Sequence, residues 1–160
     1  MILLVTCPQG REGDAILELE WALEKVKAHG TDWRGVLLAE TPLSKEEALQ
    51  RLKDFETQAI QRVVPLEVLV RASFGEIADA VLKLAENIWG NFAVRAKVRG
   101  NKKLSQRELE VKLGSLIVEH YNMPVNLSNP DYTVVVEVLG KKAGVGVLKR
   151  GEILRFEVEE

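Results

Sequence analysis

The first apolar run, Ile2 to Cys7, is short and is closed by Pro8 and Gly10, the pattern of a buried strand. Over residues 14–28 the period lengthens. Ile16, Leu19, Leu23 and Val26 recur at helical spacing, with Asp14 as candidate N-cap and Gly30 beyond the end. Residues 35–39 (GVLLA) read as a strand. Ser44 and Glu47 then form a capping box ahead of Leu49, Leu52 and Phe55, the apolar side of a short helix. Residues 60–71 (IQRVVPLEVLVR) look extended, but Pro65 has no N–H to give a ladder and marks an edge, a bulge or a break.

A second unit opens at Ser73, which with Glu76 makes another capping box; Ile77, Val81, Leu84 and Ile88 share one stripe behind it. Residues 92–98 alternate strictly. Phe92, Val94, Ala96 and Val98 face one way, and Ala93, Arg95, Lys97 and Arg99 the other. After Gly100, Ser105 and Glu108 start a helix with Leu109, Leu113, Leu116 and Ile117 on its buried face. Asn129-Pro130 is a turn. Residues 132–139 and 145–148 are strands joined through a turn at 140–144, and the alternation over 154–158 adds a last strand. The order is β-α-β-α-β, then α-β-α-β-β: two small α/β units meeting near residues 71–74.

Composition fits this globular reading, with 46% hydrophobic and 29% charged residues in a chain of 160. One cysteine, Cys7, excludes an internal disulfide, and two histidines, His29 and His120, leave little for a metal centre. The apolar run at the start lacks a basic segment before it and is too short for a signal peptide or a membrane span, so the expected location is cytoplasmic, with no membrane partner.

The net charge of −2 hides an imbalance that changes the picture more. Residues 1–60 carry 7 basic and 11 acidic side chains, whereas residues 91–112 carry 7 basic and 2 acidic. Within the second stretch Arg95, Lys97, Arg99, Lys102 and Lys103 have no carboxylate between them. Arg95, Lys97 and Arg99 recur at every second position and so leave one strand on one face. The loop carries Lys102 and Lys103 onward. The next helix begins with Ser105, Gln106 and Arg107, where free N–H groups favour an anion, and Lys112 continues the positive side. Side-chain cations and main-chain donors in one neighbourhood suit a sugar–phosphate backbone. The competing readings are a solvated face and an edge strand defended by charge, although such a defence needs one or two lysines rather than seven cations.

Catalytic chemistry is not singled out. No nucleophile–base pair stands out, and Cys7 in a strand pattern reads as a packed thiol. Gly144 and Gly146 lack the third glycine and the following helix of a dinucleotide fingerprint, and no Gly-Lys-Ser/Thr occurs. No catalytic residue, metal ligand or cofactor is therefore expected. A small enzyme using an inconspicuous carboxylate, and a domain that binds only protein, stay open on the residues alone.

Several segments look familiar together: FAVRAKVRG (92–100), the S-x-x-E-L-E-x-x-L-G helix start (Ser105 to Gly114), VNLSNPD (125–131), YTVVVEVL (132–139) and AGVGVL (143–148). They resemble the THUMP domain, an RNA-binding module of several tRNA-modifying enzymes. The stretch Gln61-Arg62-Val63-Val64-Pro65 is similar to the R-x-x-P segment ahead of THUMP in the stand-alone tRNA-acetylation adaptor subfamily. The resemblance implies an α/β (α+β) chain: a small ferredoxin-like domain over 1–72, then a THUMP RNA-binding domain with a mixed sheet over 73–160. It further implies a non-catalytic, accessory RNA-binding protein in tRNA processing. Such a protein grips the acceptor end of tRNA and presents it to a separate RNA cytidine acetyltransferase for N4-acetylcytidine formation. The RNA-binding residues would be Arg95, Lys97, Arg99, Lys102, Lys103, Ser105, Gln106, Arg107 and Lys112. A THUMP protein serving another tRNA-modifying enzyme is the alternative.

Overall fold

In a computed structural model the structure describes residues 1–158. The chain forms two compact units, one of Met1–Pro65 together with the tail from Gly151, the other of Leu66–Arg150. The boundary thus lies ahead of the expected one at 72/73, and the tail belongs with the first unit rather than the second. Residues 159–160, the end of the expected second domain, lie outside the described residues.

The first unit runs β1 (Ile2–Thr6), α1 (Glu12–Leu23), β2 (Lys27–Gly30), β3 (Val36–Glu40), α2 (Lys45–Phe55) and β4 (Arg62–Leu66), and the tail adds β9 (Leu154–Arg155). The sheet order is β2-β3-β1-β4-β9. A β-α-β-β-α-β path with the first strand between the third and the last is the ferredoxin-like arrangement. Leu3, Val5, Leu19, Leu23, Leu37, Leu52, Ile60 and Val63 form its core.

The helix expected over 14–28 is shorter and starts earlier. Arg11 occupies the N-cap, and Asp14 lies in the first turn, 3.2 Å from the Arg11 Nε. The helix stops at Leu23, because Glu24 takes a positive φ of 63°, and Lys27–Gly30 pair with β3 instead. The expectation for 44 onward agrees: the Ser44 Oγ accepts the Glu47 N–H at 3.2 Å. The extended segment expected over 60–71 carries Pro65 inside its first strand and breaks two residues later, at Glu67. Its first half is β4, and its second half is β5 (Val68–Arg71) in a different sheet.

The second unit continues with α3 (Phe74–Ala85), β6 (Phe92–Arg99), α4 (Gln106–Tyr121), β7 (Tyr132–Leu139) and β8 (Lys142–Lys149). Its sheet order is β5-β8-β7-β6; β6 and β7 are parallel and the other neighbours antiparallel, so the sheet is mixed. Both helices cover one face, through Ile77, Val81, Leu109, Leu113 and Ile117 against Phe92, Val94, Val134, Val136 and Val145. The strand expected over 154–158 is reduced to β9 and pairs with β4, Val63 opposite Leu154.

The turn at 129–131 sets the start of the parallel pair. The Asn91 N–H donates to the Asp131 carboxylate at 3.1 Å, and the Asp131 N–H donates to Asn91 Oδ1 at 2.7 Å. Arg150 then reaches the Pro130 carbonyl, the Asn129 carbonyl and the Asp131 carboxylate at 2.9–3.0 Å. These bonds bring Tyr132 level with Phe92.

Candidate nucleic-acid interface

One end of the second sheet is cationic. The strand registers set Arg71 opposite Lys142, Lys142 opposite Leu139 and Leu139 opposite Arg99, so three of the four residues in that row are basic. Above the row the β7–β8 turn is bonded on both sides. The Gly140 N–H donates to the Arg99 carbonyl at 2.8 Å, and the Ala72 N–H donates to the Lys141 carbonyl at 2.9 Å. Asn101 fastens the neighbouring loop. Its Nδ2 donates to the Gly140 carbonyl at 3.0 Å, and its Oδ1 accepts the Lys103 and Leu104 N–H groups at 2.9 and 3.2 Å. Gly100 and Gly140 have φ of 66° and 63°, left-handed conformations that a β-carbon disfavours, so both turns need glycine. Between them lies a hollow of about 600 Å³, lined by Arg71, Ser73, Lys102, Lys103 and Lys141.

Ser73, the N-cap of α3, accepts the Glu76 N–H at 3.4 Å, so this helix opens its positive end toward the same hollow. Lys102 and Lys103 are exposed, and in this setting their charges add to that dipole. The surface can hold phosphate oxygens by point charges and leave them partly hydrated.

The nine sequence-derived residues do not form one face. Lys102 and Lys103 lie in the hollow. Arg99 lies at its edge but is spent: its Nη1 meets the Glu137 carboxylate of β7 at 3.0 Å, with side chains only 14% and 6% exposed. Arg95 turns to a second hollow between β6, α4 and the loop at 125–127, where its guanidinium donates to the Leu127 and Val94 carbonyls. Lys97 is exposed between the two. Ser105 uses its Oγ as an acceptor for the Glu108 N–H at 3.1 Å, capping α4. Gln106 and Arg107 are exposed on the first turn. Lys112 is held further along, 3.8 Å from Glu108 and over the Phe74 ring at 5.8 Å. The continuous positive side expected from the sequence is therefore interrupted, because the alternation rule says nothing about which strand supplies a neighbouring carboxylate.

Arg71, Lys141 and Lys142 were not among the expected residues. Their sequence signal was a lysine-bearing hairpin turn and a basic strand end, neither of which reveals a neighbour until the register is known.

Among the described residues no group of three or more His, Cys, Asp or Glu side chains could hold a metal ion, and no helix is long and apolar enough to cross a membrane.

A mixed four-stranded sheet with two helices on one face and a cationic end, in a chain that also carries a ferredoxin-like unit, defines a class of α+β chain. The second unit is a THUMP domain: residues 71–148 match that family. A tRNA sulfurtransferase of Desulfurococcus amylolyticus is 34% identical over 109 residues, which are 67% of this chain and 21% of that protein. An uncharacterized protein of Methanocaldococcus jannaschii is 25% identical over 130 residues, 80% of this chain and 35% of that protein. The chain thus spans between a fifth and about a third of the length of these curated relatives. The fold is shared with the Pyrococcus horikoshii protein PH1313 (TM-score 0.71, 22% identity, 92% of this chain and 54% of that one). It is also shared with a 4-thiouridine synthetase solved with RNA and ATP (TM-score 0.66, 20% identity, 96% and 41%).

Proposed function

We propose that this chain is a non-catalytic tRNA-binding adaptor that presents tRNA to a separate RNA cytidine acetyltransferase for N4-acetylcytidine formation. The observation that carries the RNA-binding part is the convergence of Arg71, Lys102, Lys103 and Lys141 on one hollow of a THUMP domain. Four cations from three separate segments, with a helix N-terminus among them, offer a polyanion several phosphate contacts at once. Recognition is by shape and backbone, since paired RNA presents side chains a poor groove for base readout. In this reading the chain makes or breaks no bond; binding fixes how far the target nucleotide stands from the partner's active site.

A second reading has its own support. The same module could serve another tRNA modification, and the 34% identity to a protein named tRNA sulfurtransferase favours thiolation within it. Reconstitution separates the two. Purified acetyltransferase, acetyl-CoA, ATP and tRNA are combined with and without this chain, and acetylated cytidine is measured. The adaptor reading expects acetylation to depend on the chain. Equal yields in its absence overturn it, while a gel shift with deacylated tRNA still reports on RNA binding alone.

A further inference from the structure

Leu17 and Trp21 stand one turn apart on α1, on the face away from the core, and are 45% and 62% exposed. The Trp21 ring lies 6.5 Å from that of Phe55, at the end of α2, so the apolar patch spans two helices. Single exposed leucines are ordinary, but a tryptophan, a phenylalanine and a leucine in one patch are not. Acidic side chains outnumber basic ones along the two helices, although Lys25 adjoins Glu24 and Lys53 adjoins Asp54. Asp14 precedes Leu17 by one turn, Glu20 adjoins Trp21, Glu24 follows by one turn, and Asp54 and Glu56 flank Phe55. Arg11 answers Asp14 at 3.2 Å and Arg51 answers Glu24 at 3.8 Å; Glu20 and Glu56 are exposed.

We infer that this face of the first unit is the docking surface for the RNA-modifying enzyme, and that the enzyme meets it with lysine and arginine side chains around an aliphatic centre. The inference rests on the adaptor reading for the identity of the partner. The chemistry selects the occupant. The acidic excess of the two helices, with Glu20 and Glu56 exposed, opposes phosphate, so RNA does not fit. An enzyme that works on a polyanion carries cationic surface of its own. Its cations gain from this excess, and one placed over the Trp21 ring gains from the π face as well. Aromatic side chains ringed by polar groups are the usual anchors of protein interfaces.

The full-length chain serves for the test, with Leu17→Ser/Trp21→Ala and Glu20→Lys/Glu24→Lys variants. All four sites are on the exposed face, and circular dichroism checks that the fold is kept. Binding to the acetyltransferase without RNA should weaken about tenfold or more in each variant. The gel shift with tRNA should not change in the Leu17→Ser/Trp21→Ala variant. Variants that bind the enzyme like the parent overturn the inference. If the parent does not bind the acetyltransferase, the adaptor reading fails. The surface is then judged with an amphipathic peptide of lysine and leucine, followed by the Trp21 indole resonance. Movement of that resonance, lost in the lysine variant, upholds a cationic protein partner, and a stationary resonance overturns it. Self-association of the parent that both variants abolish shows a second copy as the occupant and also overturns it.

Discussion

Glu137 lies within β7 with its side chain 6% exposed and holds the Arg99 guanidinium at 3.0 Å. Two charges so far from water stabilise each other. Removing Glu137 leaves the Arg99 guanidinium, 14% exposed, without this carboxylate, at a cost of about 3–5 kcal/mol. Glu137→Gln should therefore lower unfolding free energy by about that much in urea titration, whereas Arg99→Met with Glu137→Leu should cost far less. Arg99 accordingly fixes the sheet edge through Glu137. The exposed lysines behave differently. Lys102→Glu or Lys103→Glu should leave stability within about 0.5 kcal/mol and flatten the salt dependence of tRNA binding by about one unit of log–log slope each. Cys7 follows from burial. Loss of solvation, with the Glu12 carboxylate adding to it and Arg11 opposing, pushes its thiol up to about 11. The folded thiol keeps its proton above the range where an unfolded one, near about 8.5, ionises. Its contribution to stability is then complete below that range and is lost as the pH rises toward 11. Iodoacetamide at pH 9 should alkylate Cys7 slowly in the folded chain and rapidly in urea.

Helix starts were legible because they are written locally. Ser44, Ser73 and Ser105 each accept the N–H three residues on, as the serine–glutamate spacing indicates. A cap of this kind is worth about 1 kcal/mol. Ser105→Ala should lower stability by that amount and leave the salt slope of tRNA binding unchanged; a fall in the slope would mean that the hydroxyl also holds phosphate. The α1 start is not written locally, because Arg11 caps without a side-chain bond and its residue type carries no signal. Strand β2 is hidden from the sequence for a related reason. Lys27-Ala28-His29-Gly30 has one apolar side chain and owes its extended form to pairing with β3. The candidate site divides along the same line. Lys102 and Lys103 lie next to each other in a glycine-bounded loop and could be read directly. Arg71 and Lys141 join them through β5–β8 and β7–β8 pairing. The neutralisation of Arg99 depends on the parallel register of β6 and β7, which no local pattern states.

Charge is separated along the chain: residues 1–60 carry a net −4, and the cationic stretch at 91–112 a net +5. A single polyanion therefore has reason to choose the second unit, and a cationic protein the first. The units also differ in how the chain closes them. The second is continuous from Leu66 to Arg150, whereas the first needs the tail that begins at Gly151. There β9 covers the edge of β4, the Phe156 N–H donates to the Gln61 carbonyl at 2.8 Å, and Lys45 meets Glu152 at 3.1 Å. Leu154 is 5% exposed in the core of the first unit, and Phe156 packs beside it. Burying two such side chains is worth about 3–5 kcal/mol, a large share of the stability of a small unit. Deleting residues 151–160 should thus lower the unfolding midpoint of the first unit, read from hydrogen exchange at Leu3, Val5 and Leu37, while amides of β7 and β8 keep their protection. Leu154→Ala should give about half the loss. Equal loss of protection in both sheets would mean that the chain unfolds as one cooperative body, and the tail would then support the whole molecule rather than one sheet edge.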